Sequence, residues 1–85
     1  MKPLSELREA IEAVDQQMLE LFIKRMELSK AIGEIKKEQK LPIYDATREK
    51  ALFDKQKSKL NDAQMWPYFE SFYTKLMQLS KDIQR

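Results

Sequence analysis

Four basic side chains stand out in a sequence that contains no histidine and no cysteine. Without those residue types the chain lacks a thiol nucleophile and the imidazole that carries protons near neutral pH. The side chains left for chemistry that we single out are Arg8, Arg25, Lys36, Arg48, Glu49, Ser80 and Gln84. Arginine can bind a carboxylate through two parallel hydrogen bonds, so this set favours a small polyanion, most simply a dicarboxylate. Catalysis there would rest on positioning and electrostatics.

One long helix would have to position the first three of these cations. Its apolar residues alternate in steps of three and four, namely Leu4, Leu7, Ile11, Val14, Met18, Leu21, Leu28, Ile32 and Ile35. This heptad pattern predicts a helix over about residues 4–39 that has ended before Pro42. Such a helix would be roughly 50 Å long, whereas a compact globule of this size would be only about 30 Å across. We therefore predict an intertwined homodimer.

Two shorter helices are predicted after Pro42. Asp45 is a good N-cap for a helix over about residues 45–60, and Asn61 or Asp62 would cap a third over about residues 63–84. Pro67 is tolerated in the first turn of that helix. Its inner stripe would comprise Trp66, Phe69, Phe72, Tyr73, Leu76, Leu79 and Ile83. The predicted fold class is all-α, with three helices per chain in a single domain over residues 1–85.

Composition excludes several classes of function. Sixteen basic and 14 acidic residues give a net charge of +2, too balanced to favour nucleic-acid binding. The absence of cysteine excludes disulfides and zinc–thiolate sites, so only carboxylates could bind a metal. No apolar run has the length of a signal peptide core or a membrane span. We expect a cytoplasmic, monofunctional protein.

The cations on the long helix each allow more than one interpretation. Arg25 falls in the apolar column of Leu4, where an unpaired guanidinium is costly to bury, so it forms a structural ion pair, reaches solvent or binds an anion. Arg8 and Lys36 share another column and, taken singly, resemble solvated surface cations. In an antiparallel dimer, however, Arg8 of one chain would approach Arg25 and Lys36 of the other.

Similar alternatives apply to the remaining candidates. Gly33, the only glycine, costs its helix about 1 kcal/mol relative to alanine, so it is either tolerated or required by a close approach. Ser80 and Gln84 are one helical turn apart, so they bond each other or the backbone, lie on a frayed helix end, or face a ligand. Glu49 complements a helix dipole, but Arg48 near a helix N-terminus is unfavourable and indicates another purpose.

Taken in order, these residues resemble a known family. The segments LREAIEAVDQQMLELFIKRMELSKAIGEIK (7–36), PIYDATREK (42–50) and LMQLSKDIQ (76–84) resemble the all-helical, AroQ-type chorismate mutases. The matching positions are Arg8, Ile11, Asp15, Arg25, Gly33, Lys36, Asp45, Arg48, Glu49, Ser80 and Gln84. The resemblance implies an intertwined homodimer that converts chorismate to prephenate, on the path to phenylalanine and tyrosine, by a Claisen rearrangement. It implies no cofactor and no metal.

The resemblance also implies roles for individual residues in binding the carboxylates. Arg8 would reach in from the other chain. Together with Arg25 and Arg48 it would hold the two carboxylates of the substrate, with assistance from Ser80.

The remaining roles concern the breaking bond and the ring. Lys36 and Gln84 would hydrogen-bond the ether oxygen, where negative charge accumulates because the C–O bond breaks ahead of C–C bond formation. Glu49 would hold the ring hydroxyl, Asp45 would lie at the edge of the site and Ile32 would form an apolar wall. The residues expected to be catalytic are Lys36, Gln84, Arg25 and Glu49. Gln84 can act only if the last turn is ordered.

Three other functions compete with this one. An isochorismate-pyruvate lyase would share the fold and bind a chorismate isomer, but those relatives resemble the chain less around Asp45, Arg48 and Glu49. A non-enzymatic helical dimerisation module would explain the heptad pattern but not an arginine within it. A nucleic-acid binder would need a larger basic face than KQKSK (55–59).

Overall fold

Three α-helices make up the computed structural model, which describes residues 3–85. They are α1 (Leu4–Glu38), α2 (Ala46–Leu60) and α3 (Trp66–Gln84), and no strand occurs within this range. The predicted all-α class with a very long first helix is therefore confirmed.

Helix α1 ends in a turn that directs the chain towards α2. Lys40 adopts the left-handed conformation at φ 56°, and the Leu41 N–H donates to the Lys36 carbonyl at 2.8 Å. This pairing satisfies a carbonyl that the helix end would otherwise leave without a donor. Pro42 follows directly, as expected for a residue that cannot continue a helix.

The predicted capping of α2 is confirmed, whereas the start of α3 was predicted too early. Asp45 accepts a hydrogen bond from the Arg48 N–H at 3.0 Å and is the N-cap of α2. Asn61, at φ 47°, caps the end of α2 rather than the start of α3. Asp62 Oδ1 accepts from the backbone N–H groups of Gln64 and Met65, so residues 63–65 form a turn and α3 begins at Trp66.

Helix α3 contacts both other helices and carries most of the core. Tyr73 and Met77 are its buried hydrophobic side chains. The Tyr73 ring packs edge-on against Phe53 of α2, with centroids 5.0 Å apart, and stacks on Phe69 at 5.3 Å. Phe72, predicted to face inward, is instead 49% exposed.

The apolar stripe of α1 is left uncovered by its own chain. The described residues extend over 55 × 26 × 16 Å, so α1 overhangs the other helices. Nine of its large apolar side chains up to Ile23 are exposed, namely Leu4, Leu7, Ile11, Val14, Met18, Leu19, Leu21, Phe22 and Ile23. Contiguous apolar surface of this kind marks an interaction site. No helix within residues 3–85 combines the length and hydropathy needed to cross a membrane.

Candidate active site

A cavity of about 500 Å³ lies where the second half of α1, the start of α2 and the end of α3 meet. Its lining is Arg25, Leu28, Ser29, Ile32, Lys36, Ile43, Asp45, Arg48, Glu49, Leu52, Met77, Ser80, Lys81 and Gln84. Eight of the nine side chains predicted to bind substrate are therefore brought together. The ninth, Arg8, lies on the exposed first half of α1 and does not line this cavity.

Arg25 is half-buried in the cavity wall. Its guanidinium carbon lies 6.0 Å from the centroid of the Tyr73 ring, within range of a cation–π contact. It forms no ion pair with any of residues 3–85, so the interpretation as a structural ion pair within the chain was wrong. The guanidinium therefore keeps its hydrogen-bonding fork available for an anion in the cavity.

The ammonium group of Lys36 is held by the connection between α1 and α2. Lys36 Nζ donates to the Ile43 carbonyl at 2.8 Å in a partly buried position. An ammonium group has three N–H donors, so this bond fixes the group and leaves two donors for a ligand. Lys36 thus joins two elements of the site as well as lining it.

Asp45 and Arg48 lie at the more open edge of the cavity. Both residues are exposed, and one carboxylate oxygen of Asp45 is occupied by the Arg48 backbone N–H. The Arg48 guanidinium forms no ion pair within residues 3–85. Asp45 thereby secures the first turn of α2, which presents the Arg48 side chain to the cavity.

Glu49 pairs with Lys81, a residue that was not among the predicted site residues. Lys81 Nζ lies 3.1 Å from Glu49 Oε1, and the two side chains are only 20% and 21% exposed. The same ammonium group lies 4.7 Å from the centroid of the Tyr44 ring. Lys81 lies three residues before Gln84, on the same side of α3, and lines the cavity together with Ser80 and Gln84. This spacing could have indicated Lys81, which the prediction from Ser80 and Gln84 alone overlooked.

The polar pair predicted on α3 belongs to a hydrogen-bonded chain that starts on α1. The hydroxyl groups of Ser29 and Ser80 are hydrogen-bonded to each other, and both residues are buried. Gln84 Nε2 donates to Ser80 Oγ over a long distance of 3.4 Å. Ser80 and Gln84 therefore do bond each other, but weakly. Ser29, which was not among the predicted site residues although it lies four residues after Arg25 on the same side of α1, is the α1 member of this chain of bonds.

Gln84 also carries the one buried side-chain polar atom without a hydrogen-bond partner in residues 3–85. That atom is Oε1. Buried polar groups are almost always paired, so an exception on the wall of a cavity indicates a place for a polar ligand. The residue is within α3, whose last turn is formed through Gln84.

A close approach between helices explains Gly33. A Cβ atom at this position would lie 2.8 Å from Gln84 Cα and 2.9 Å from Gln84 Cβ, closer than real contacts allow. Gly33 is buried, so only glycine lets the last turn of α3 approach α1 this closely. Of the two interpretations considered for Gly33, the structure supports the close approach.

The charges of the cavity wall favour a dianion. Four basic residues, Arg25, Lys36, Arg48 and Lys81, face two acidic ones, Asp45 and Glu49, which gives 4 − 2 = +2 formal charges. A cleft with a net positive charge attracts anionic ligands. Within residues 3–85 no three acidic side chains are grouped in a way that could hold a metal ion.

Comparisons with known proteins give a consistent result. The family model described as chorismate mutase type II matches residues 7–85. The chain is 36% identical over 55 residues to a chorismate mutase from Methanocaldococcus jannaschii, covering 65% of this chain and 56% of that protein. It is 44% identical over 55 residues to a bifunctional chorismate mutase/prephenate dehydratase from Aquifex aeolicus, covering 65% of this chain and 15% of the other.

A solved structure matches over nearly the whole chain. It is a conserved hypothetical protein from Pyrococcus furiosus, with a TM-score of 0.79 and 36% identity over 96% of this chain and 95% of that one. The matches to the two curated relatives, by contrast, span from 15% to 56% of their lengths.

Proposed function

Since this chain belongs to the chorismate mutase type II family, we propose that it catalyses the Claisen rearrangement of chorismate to prephenate. One observation carries the proposal: a single cavity of about 500 Å³ gathers eight of the nine expected substrate-binding residues. The volume lies within the usual range for small-molecule sites of about 300–1,000 Å³. The net positive lining suits a substrate with two carboxylates.

Binding in the proposed site rests on the arginines. Arg25 and Arg48 lack ion pairs in residues 3–85, so each can receive a carboxylate. Ser80 lines the same cavity and assists through its hydroxyl group. Holding both carboxylates restricts chorismate to the compact conformer in which the two reacting carbons approach. The conformational entropy is then lost on binding, so it no longer adds to the activation barrier.

The rate acceleration in the proposed site comes from hydrogen-bond donors of the protein that lie at the ether oxygen. The C–O bond breaks ahead of C–C bond formation, so negative charge on this oxygen is larger in the transition state than in chorismate. The Lys36 ammonium, fixed by Ile43, and the Gln84 amide therefore bind the transition state more tightly than the substrate. No atom is transferred to or from the protein, which agrees with a site without a histidine or cysteine.

Three further residues shape the pocket around the ring. Glu49 accepts a hydrogen bond from the ring hydroxyl group, and Asp45 lies at the edge, where it also caps α2. Ile32 provides an apolar wall on α1. In this assignment Lys36, Gln84, Arg25 and Glu49 are the catalytic residues.

The proposal includes a homodimer, which supplies the missing Arg8. An apolar groove of about 540 Å³ runs beside the cavity, shares Arg25 with it and is lined by Met18, Leu21, Phe22 and Phe72 among others. A second α1 helix covering this groove would bury the exposed stripe. An antiparallel arrangement would bring Arg8 of the partner towards the cavity and raise its formal charge by one.

An assay of chorismate disappearance on the purified chain tests the function, with chromatography to distinguish prephenate from salicylate. We expect prephenate to form without added cofactor. Lys36→Ala should lower kcat by about 10²–10³-fold, as removal of one oxyanion donor does. The matched control is Lys37→Ala, because Lys37 is exposed and does not line the cavity. A wild-type chain without turnover, or a Lys36→Ala chain as active as the control, would overturn the proposal.

A further inference from the structure

Lys81 is the one cation of the cavity wall to which the proposed function gives no role. Its ion pair with Glu49 differs from the two others found in residues 3–85. Lys50–Asp54 has side chains 79% and 66% exposed, and Arg85–Asp82 has side chains 64% and 48% exposed. The Lys81 and Glu49 side chains are 20% and 21% exposed. Water screens exposed pairs strongly, so only the sheltered pair can restrain its members appreciably.

We infer that Lys81 is a positioning residue that holds Glu49 for the substrate hydroxyl, an inference that rests on the proposed function. Lys81 Nζ engages Oε1 of Glu49 at 3.1 Å. A carboxylate has a second oxygen with its own lone pairs, so Oε2 stays available to accept from a hydroxyl group in the cavity. Lys81 acts through Glu49 and does not itself touch chorismate.

The pair also prevents Glu49 from opposing substrate binding. The cavity wall holds three other cations, Arg25, Lys36 and Arg48, and an unrestrained carboxylate would be attracted to them. Any of these pairings would occupy a group that is needed for the substrate. A dedicated partner on α3 keeps the carboxylate at one side of the cavity.

Lys81 also contacts the segment that connects α1 and α2. Its ammonium group lies 4.7 Å from the centroid of the Tyr44 ring, a cation–π distance. The neighbouring residue Ile43 accepts the hydrogen bond from Lys36 at 2.8 Å. The two lysines thus contact successive residues of this connection, Lys81 from α3 and Lys36 from α1.

Steady-state kinetics of Lys81→Met test this role, because methionine keeps an unbranched side chain but has neither the charge nor the N–H donors of lysine. We expect KM to rise about tenfold and kcat to change less than about threefold, since Glu49 contacts the hydroxyl in both substrate and transition state. Lys81→Arg should restore KM to within about threefold of wild type. The matched control is Lys50→Met, which breaks an exposed ion pair beside Glu49 but outside the cavity and should leave both constants unchanged.

A second arm shows whether Lys81 acts through Glu49. In a Glu49→Gln chain there is no carboxylate to restrain, so adding Lys81→Met should raise KM less than about twofold further. A tenfold rise in that background would mean that Lys81 acts on the substrate by a route other than Glu49, and would overturn the positioning role. Thermal unfolding by circular dichroism accompanies each variant, and Lys81→Gln replaces Lys81→Met if the latter melts below the assay temperature.

The outcomes separate this inference from the proposed function. Absence of turnover in the wild-type chain would overturn both. Wild-type turnover combined with unchanged KM in the folded Lys81 variants would overturn the role of Lys81 alone.

Discussion

Helix α1 divides near Arg25 into two halves with different surroundings. Before Arg25 its apolar side chains are exposed, with Leu4, Ile11 and Leu21 each more than 60% accessible. After Arg25 the helix contacts α3 closely enough to bury Ser29 and Gly33, although Leu28, Ile32 and Ile35 are still exposed. The first half of α1 therefore buries no residue, whereas the second half buries a serine and a glycine against α3.

The difference indicates that the two halves have different partners. The second half is joined to α3 of the same chain, since the Ser29–Ser80 bond and the Gly33–Gln84 contact both link α1 to α3. The first half has an apolar stripe that nothing in residues 3–85 covers. Helices of this kind gain most of their stability by burying that stripe. Stability is thus expected to depend on the first half and chemistry on the second.

The largest effect is expected from a charge placed in the uncovered stripe. Val14→Glu would bury a carboxylate in the proposed interface, so we expect loss of the dimer and of cooperative unfolding, at a cost of more than about 3 kcal/mol. The control is the neighbouring Ala13→Glu, which lies off the stripe and should change stability by less than about 0.5 kcal/mol. Sedimentation equilibrium and thermal unfolding measure both.

A Val14→Glu chain that keeps the mass and melting temperature of a dimeric wild type would show that Val14 lies outside the interface. A wild-type chain that sediments with the mass of a monomer would overturn the homodimer.

Residues close in sequence were predicted well. The step pattern of apolar residues gave α1 to within one residue, and the Asp45 cap placed the start of α2, because helical periodicity and capping depend on neighbours within a turn or two. The start of α3 was missed since Asp62 can cap a helix or close a turn, and its two backbone bonds form a turn here.

Contacts between helices were predicted less well. The cavity gathers the substrate-binding residues that the resemblance indicated except Arg8. Ser29 and Lys81 were not among the predicted residues, and their partners depend on how α3 lies across α1 and α2. Gly33 was recognised as unusual, yet only the distance to Gln84 supplies the reason. The sequence carries the periodicity of each helix, whereas the rotation and separation of helices follow from packing.

Hybrid dimers of two inactive variants test whether the first half of α1 in one chain and the second half of α1 in the other form one site. Arg8→Ala and Arg25→Ala should each lower kcat/KM by about 100-fold or more, because each removes a charge-assisted bond to a carboxylate. In a hybrid dimer one site regains both arginines. After unfolding and refolding of an equal mixture, half of the dimers are hybrids with one restored site, so about a quarter of wild-type activity should return.

The control is a mixture of Arg25→Ala with Lys36→Ala, both of which lie in the second half of α1. Because they belong to the same chain's cavity, no hybrid site contains both wild-type residues, and activity should stay low. Verified hybrids of Arg8→Ala and Arg25→Ala without recovery would refute a site shared between the halves of two helices.

The smallest effect is expected from Gly33→Ala, where stability and activity should separate. Alanine in a helix interior is about 1 kcal/mol more favourable than glycine, so α1 itself gains. The new Cβ, however, would lie 2.8 Å from Gln84 Cα, and the last turn of α3 must move away. We expect a melting temperature within a few degrees of wild type and kcat reduced about tenfold, because Gln84 no longer reaches the ether oxygen.

A Gln84→Ala background distinguishes this mechanism from general damage to the fold. If Gly33 acts by placing Gln84, then Gly33→Ala should lower kcat by less than about twofold once that side chain is removed. If Gly33→Ala instead keeps full kcat in the wild-type background, the close approach does not position Gln84 for catalysis. Gly33 would then have no role in catalysis, and the catalytic contribution of the second half of α1 would come from Arg25 and Lys36.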